Sequence, residues 1–170
     1  MAIPVPTQTR VTPVTASSLE RFNTAPADEA VQTLLACLNC RHWAHRLTAH
    51  RPYPDLPALL AAADEAAYDL SLDDLTEALA AEALPALPQD TYAAAHTALS
   101  AATAAYESRF GHAFVICLDG LPADEALDHV LEGIRSRLAN DPEEERGVAA
   151  EELRRLARAR LTGALQGTGR

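Results

Sequence analysis

The chain has 170 residues, enough for one domain with a core of its own and no disulfide or metal staple. Alanine and leucine dominate and only 5% of residues are aromatic, a mixture that favours helices over sheet. Every basic side chain other than histidine is arginine, yet the formal net charge is −10, which argues against nucleic acid or an anionic membrane surface and leaves small-molecule chemistry.

Residues 1 to 15 carry three prolines and four threonines without periodicity and read as a disordered arm. They lack the apolar centre of a signal peptide. Nowhere does the sequence approach the roughly 20 apolar residues of a membrane span, so a cytoplasmic protein is expected. The folded domain is expected over residues 16–166, with 167–170 as a flexible tail. A short helix passes through Leu19 and Phe22, and a second starts at Pro26 with Asp28 and Glu29 in its first turn. A third covers Arg41 to Ala49 and stops before Pro52, because a residue preceding proline avoids helical geometry. Pro54 to Asp69 forms a fourth, and Ser71 with Asp74 resembles a capping box opening a fifth that runs to about Ala83.

Pro85 and Pro88 interrupt the chain before a long alanine-rich helix from Asp90 to Phe110. Gly111 then releases the apolar run Ala113 to Leu118, too short for a helix. Its backbone groups must find partners elsewhere, and a polar heterocycle with amide-like edges would satisfy them. A helix from Pro122 to Ala139 follows. The expected fold is all-α: a single-domain helical bundle of about seven to eight helices with one short extended segment.

The last helix has Asp141 as N-cap, Pro142 at its first position and Glu143, Glu144 and Glu145 in its first turn. Its apolar positions Val148, Leu153, Leu156, Ala157, Leu161, Ala164 and Leu165 place Arg160 among them and point Arg154, Arg155 and Arg158 outward. A guanidinium on a buried face needs an internal carboxylate or a bound anion over it, unless the side chain snorkels to solvent.

Cys37, Cys40 and Cys117 are an odd number, so reduced thiols are expected. Cys37 and Cys40 form a C-x-x-C near His42, His45 and His50. The pair lies in a helical apolar pattern with Val31, Leu34 and Leu35, no second C-x-x-C exists, and no metal is expected.

Taken in order, Phe22-Asn23, Cys37 with Trp43-Ala44, Arg51-Pro52-Tyr53, Asp74 to Ala81, Tyr106, Arg109-Phe110-Gly111, Phe114-Val115-Ile116, Arg137 to Asp141, Glu145 and Arg160-Leu161 resemble one family. It is 2-oxo-4-hydroxy-4-carboxy-5-ureidoimidazoline (OHCU) decarboxylase, and the similarity runs from about Ser18 to Leu165. The resemblance implies an all-helical homodimer that works without cofactor or metal on the route from urate to (S)-allantoin. It also implies that the backbone of Phe114, Val115 and Ile116 holds the ureido and ring edges of the substrate and that Arg160 pairs with its anion.

The sequence departs from the family pattern at three places. Where the family has a His-Pro pair whose histidine is the principal acid or base, Glu82 and Ala83 stand here. The stretch from Glu82 to Tyr106 is too short to contain the family's serine and Glu-Gln pair, and Leu121 follows Gly120 where a basic residue is common.

Decarboxylation requires that the carboxylate be oriented out of the ring plane, that charge drain into an adjacent C=N or C=O, and that the carbon be protonated. Glu82 follows Leu75, Ala78 and Leu79 at helical spacing. Desolvation and the negative helix end would favour its protonated form, which would let it replace the histidine as acid; the plain alternative is a solvated helix-end carboxylate. His96, on the side of the long helix that carries Tyr92, Leu99, Tyr106 and Phe110, is a candidate substrate contact or else a packed core histidine. The expected partner is an anionic heterocycle. A catalytically impaired homologue that binds a small molecule, and a biosynthetic lyase or isomerase reusing the pocket, are the alternatives.

Overall fold

The computed structural model describes residues 16–87 and 93–166. Among these residues the chain forms eight α-helices and no strand: α1 (Ser18–Thr24), α2 (Ala27–Cys37), α3 (Arg41–Ala49), α4 (Leu56–Tyr68), α5 (Leu72–Ala80), α6 (Ala93–Phe110), α7 (Ala126–Arg137) and α8 (Pro142–Gln166). The expected arm at 1–15, the tail at 167–170 and the expected start of the long helix at Asp90 lie outside the described residues.

Helix starts are set by side chains that satisfy otherwise orphaned amides. Ser17 with Glu20 and Ser71 with Asp74 are reciprocal capping boxes. Asp55 caps α4 through the Ala58 amide, and Asp141 Oδ1 accepts from the amides of Glu143 and Glu144, each at 2.9 Å. Two boundaries differ from the sequence expectation by more than two residues. Residues 122–125 form a turn in which the Glu125 amide bonds the Pro122 carbonyl, so α7 begins at Ala126. The fifth helix tightens at its end, with the amides of Ala81 and Glu82 bonding the carbonyls of Ala78 and Leu79 ahead of Pro85.

α8 packs against α1, α2 and α4, while α6 pairs with α7. The apolar side chains accordingly form two clusters. The larger unites α1 to α5 with the Ala149, Leu153, Ala157 and Leu161 ladder of α8; the smaller unites Leu99 and Tyr106 of α6 with Val130 and Ile134 of α7. The run Ala113 to Leu118 is extended and lies between them. Its alternation sends Phe114 and Ile116 into the smaller cluster and Val115 into the larger, so consecutive side chains tie the two cores together. Gly111 and Gly120, both at φ +77°, turn the chain into and out of this segment in a backbone region that other residues adopt only with strain.

Candidate functional site

Arg160 and Glu82, the two residues singled out for chemistry in the sequence, meet. Arg160 Nη1 lies 2.7 Å from Glu82 Oε1 and Nη2 lies 2.9 Å from Oε2, a bidentate ion pair. Nη1 also donates to the Cys37 carbonyl at 3.1 Å, at the last residue of α2. The internal carboxylate that Arg160 needs is therefore present, and its hydrogen bonds hold the guanidinium in its charged form even more firmly than usual. Glu82 is the more enclosed partner, with 7% of its side chain accessible against 38% for Arg160.

The pair sits on an open depression of about 560 Å³ bordered by Leu35, Ala36, Asn39 and Ala83. Among the described residues, Glu82 is the only acid lining it. The thiols of Cys37 and Cys117 lie within electrostatic reach of the guanidinium. Burial pushes the Cys37 thiol up and Arg160 partly offsets this, so Cys37 stays protonated and does not compete with Glu82 for the cation.

Arg160 is not the most enclosed arginine of α8. That place belongs to Arg154, expected to point outward, whose side chain is 18% accessible. The ladder 149, 153, 157, 161 turns the face of Arg154 toward α4, where Asp64 Oδ1 accepts from it at 2.8 Å, while Glu151 accepts at both Nε and Nη2. Arg154, Arg155 and Arg158 line a second depression of about 660 Å³ that also reaches Cys117 and Asp119. Their positive charges are already engaged by Asp64, Glu151 and Glu152.

Phe114, Val115 and Ile116 are buried, and none of the three lines either depression. Their main chain is held from outside the segment. Arg137 Nη1 donates to the Val115 carbonyl at 2.6 Å, and Glu152 Oε2 accepts from the Cys117 amide at 2.6 Å. Among the described residues, the Val115 amide and both backbone groups of Ile116 make no hydrogen bond to protein. His96 stands exposed on α6, which turns only Leu99 and Tyr106 fully inward, and makes no bond to Arg160 or Glu82.

The sequence reading missed a buried polar network beside the extended segment. Glu145 is fully buried and accepts from the Tyr106 hydroxyl, from Arg137 Nε at 2.8 Å and Nη2 at 2.5 Å, and from Asn140 Nδ2 at 2.9 Å. Burial, reinforced by the bond to Glu145, pushes the Tyr106 hydroxyl well above its ordinary value, so it remains a donor. The arginine is further sandwiched over the Phe114 ring at 4.4 Å. A signal was available: Glu145 heads the i+4 series 145, 149, 153, 157, 161, and Arg137 extends the buried series 126, 130, 134 of α7.

Among the described residues, Cys37 does not join Cys40 in a cluster of candidate ligand atoms. Cys37 Sγ donates to the Thr33 carbonyl, whereas Cys40 caps α3 and lies near Asp74 and Glu77, with candidate ligand atoms within 4.8 Å of one another. Both carboxylates have structural partners, Asp74 in the α5 capping box and with His42, Glu77 with Arg41.

An all-helical domain with an arginine–carboxylate pair set beside an extended inter-core segment is the class these observations define. The sequence pattern of OHCU decarboxylase matches residues 23–87 and 82–162, most of the chain, and the protein belongs to that family. The fold is similar to a crystal structure of (S)-allantoin synthase, with a TM-score of 0.68 and 21% identity over 88% of this chain. The chain spans about half, 54%, of the length of that protein. It is also similar to OHCU decarboxylase crystallised in the presence of (S)-allantoin, with a TM-score of 0.67 and 21% identity over 78% of this chain and 96% of the other. No curated protein matches the chain. Among the described residues, no helix is long and apolar enough to cross a membrane.

Proposed function

We propose that this protein is a cofactor-independent carboxy-lyase acting on a ureidoimidazoline or related ureido heterocycle, in the breakdown of urate toward (S)-allantoin. Family membership and the likeness to (S)-allantoin synthase and OHCU decarboxylase support this reading. The observation that carries it is the Arg160–Glu82 pair, which brings an anion clamp and an acid together on one depression. In the proposed reaction Arg160 binds the substrate anion in the depression that it lines with Glu82. The bond from ring carbon to carboxylate breaks, carbon dioxide leaves, and the electron pair passes into the adjacent C=N or C=O. The carbon then takes a proton from Glu82. The working unit is proposed as a cytoplasmic homodimer.

One observation favours a second reading. The two terminal guanidinium nitrogens that would grip a ligand carboxylate end-on are already taken by Glu82 and the Cys37 carbonyl, as expected of a homologue that has given up turnover and retains ligand binding. The test is the decay of freshly generated substrate, followed stereospecifically. The lyase reading requires that the protein outpace spontaneous decay and that Glu82→Gln abolish the difference; equal rates reject it.

A further inference from the structure

We propose that Glu82 is an exchangeable counter-ion: a ligand carboxylate takes its place on Arg160, and the displaced Glu82 takes up one proton from solvent. The inference rests on the same site as the proposed function and adds how that site admits its ligand.

Three observations carry it. Glu82 meets the guanidinium in the same two-bond geometry that a ligand carboxylate would use, so the two compete for one pair of donors. The exposed side of the pair opens onto the depression, which Asn39 also lines, and Arg160 Nε makes no hydrogen bond among the described residues. Arg160 is also anchored independently of Glu82 by the Cys37 carbonyl, so its position does not depend on the bond that must break.

The charge balance then fixes the proton. The charged group that meets Glu82 is Arg160 from α8, and the thiols of Cys37 at the end of α2 and Cys117 of the extended segment lie within electrostatic reach of that guanidinium. Among the described residues, no second cation lines the depression. Once the guanidinium is satisfied by a ligand, Glu82 is an enclosed carboxylate next to another carboxylate, and protonation removes both the repulsion and the desolvation cost. In exchange terms, two Arg160–Glu82 bonds break, two Arg160–ligand bonds form, and one proton moves from water to Glu82. Affinity for carboxylates therefore falls about tenfold per pH unit wherever Glu82 is ionised in the free protein and protonated in the complex. The same exchange would leave Glu82 protonated next to the ligand it admitted.

The probe is N-carbamoylglycine, a stable ureido carboxylate, titrated into the full chain by calorimetry in two buffers of different ionisation enthalpy. The expected result is uptake of about one proton per ligand near neutral pH, with affinity weakening as pH rises. Glu82→Gln should bind the probe more tightly at neutral pH, without proton uptake and with no pH slope. Arg160→Ala should abolish binding in either background. Weaker or unchanged binding by Glu82→Gln, proton uptake that survives it, binding that survives Arg160→Ala, or no binding to wild type and Glu82→Gln alike would each overturn the exchange. If a variant fails to fold, proton uptake by the wild type alone decides. The outcome is separable from the lyase reading: exchange without turnover removes only the lyase, and turnover without proton uptake removes only the exchange.

Discussion

Arg137 and Glu145 form the most enclosed ion pair among the described residues: Arg137 Nε and Nη2 both donate to one oxygen of a carboxylate that solvent does not reach. The same guanidinium holds the Val115 carbonyl, so the pair fixes the extended segment to the start of α8. Removing one partner leaves an uncompensated buried charge, a loss of about 3–5 kcal/mol. Glu145→Leu is expected to fall in that range by urea unfolding, and the double variant Arg137→Met with Glu145→Leu to recover much of it. Equal losses in the single and double variants would show that the charge is not what the site has to balance.

Glu152 secures the other end of the segment. Its Oε2 accepts from the Cys117 amide, and Arg155 holds the second oxygen. Glu152→Ala strands a mostly buried amide, which costs about 1–3 kcal/mol. Hydrogen exchange is the sharper measurement: the Cys117 amide should lose protection while amides of α8 keep theirs. Uniform loss along α8 would mean that the helix, rather than the segment, depends on Glu152.

The helices were legible because their signals are local. The Arg41 to Ala49 helix, the Ser71–Asp74 capping box and Asp141 as N-cap all follow from a few neighbouring residues. So was the extended character of 113–118, since a short apolar run after Gly111 has no helical period. What the sequence did not reveal depends on pairs distant along the chain. That Glu82 is the partner of Arg160 spans 78 residues, and Arg154 is more enclosed than Arg160 because Asp64 lies across from it on α4. Glu145 does lie in the first turn of α8, and its burial went unread for a different reason. An acid in a first helical turn ordinarily complements the dipole in solvent, and that local expectation concealed its place at the head of a buried ladder.

Gly133 on α7 packs directly against side chains of the extended segment. A Cβ there would stand 3.2 Å from both Ile116 Cδ1 and Phe114 Cζ. Phe114 has little freedom to retreat, with the Tyr106 ring 5.0 Å away edge-on and Arg137 over its face. Gly133→Val is expected to destabilise by about 1–3 kcal/mol through overpacking. Gly133→Ala should be near neutral, because the helix propensity gained, about 1 kcal/mol, offsets the squeeze. Thermal unfolding of both variants checks the order; a valine variant as stable as the alanine variant would mean the segment shifts freely.

Asp74 gives the fold a pH dependence whose sign can be worked out. The Ser71 hydroxyl, and after it His42, hold the Asp74 carboxyl below the usual carboxylate range. With the folded value depressed, the stabilisation is fully present above the unfolded value of about 3.9 and is lost as pH falls through the lower folded value. Ser71→Ala removes the N-cap of α5, costing about 1 kcal/mol at neutral pH, and the Asp74 titration should move upward. The stability gap between wild type and Ser71→Ala should therefore narrow on acidification below about pH 4, where the wild type also loses its ionised cap partner. Unfolding free energies along that range, with the Asp74 carboxyl followed by NMR, test it. A gap that widens on acidification would place the depression of Asp74 elsewhere than in the Ser71 hydroxyl.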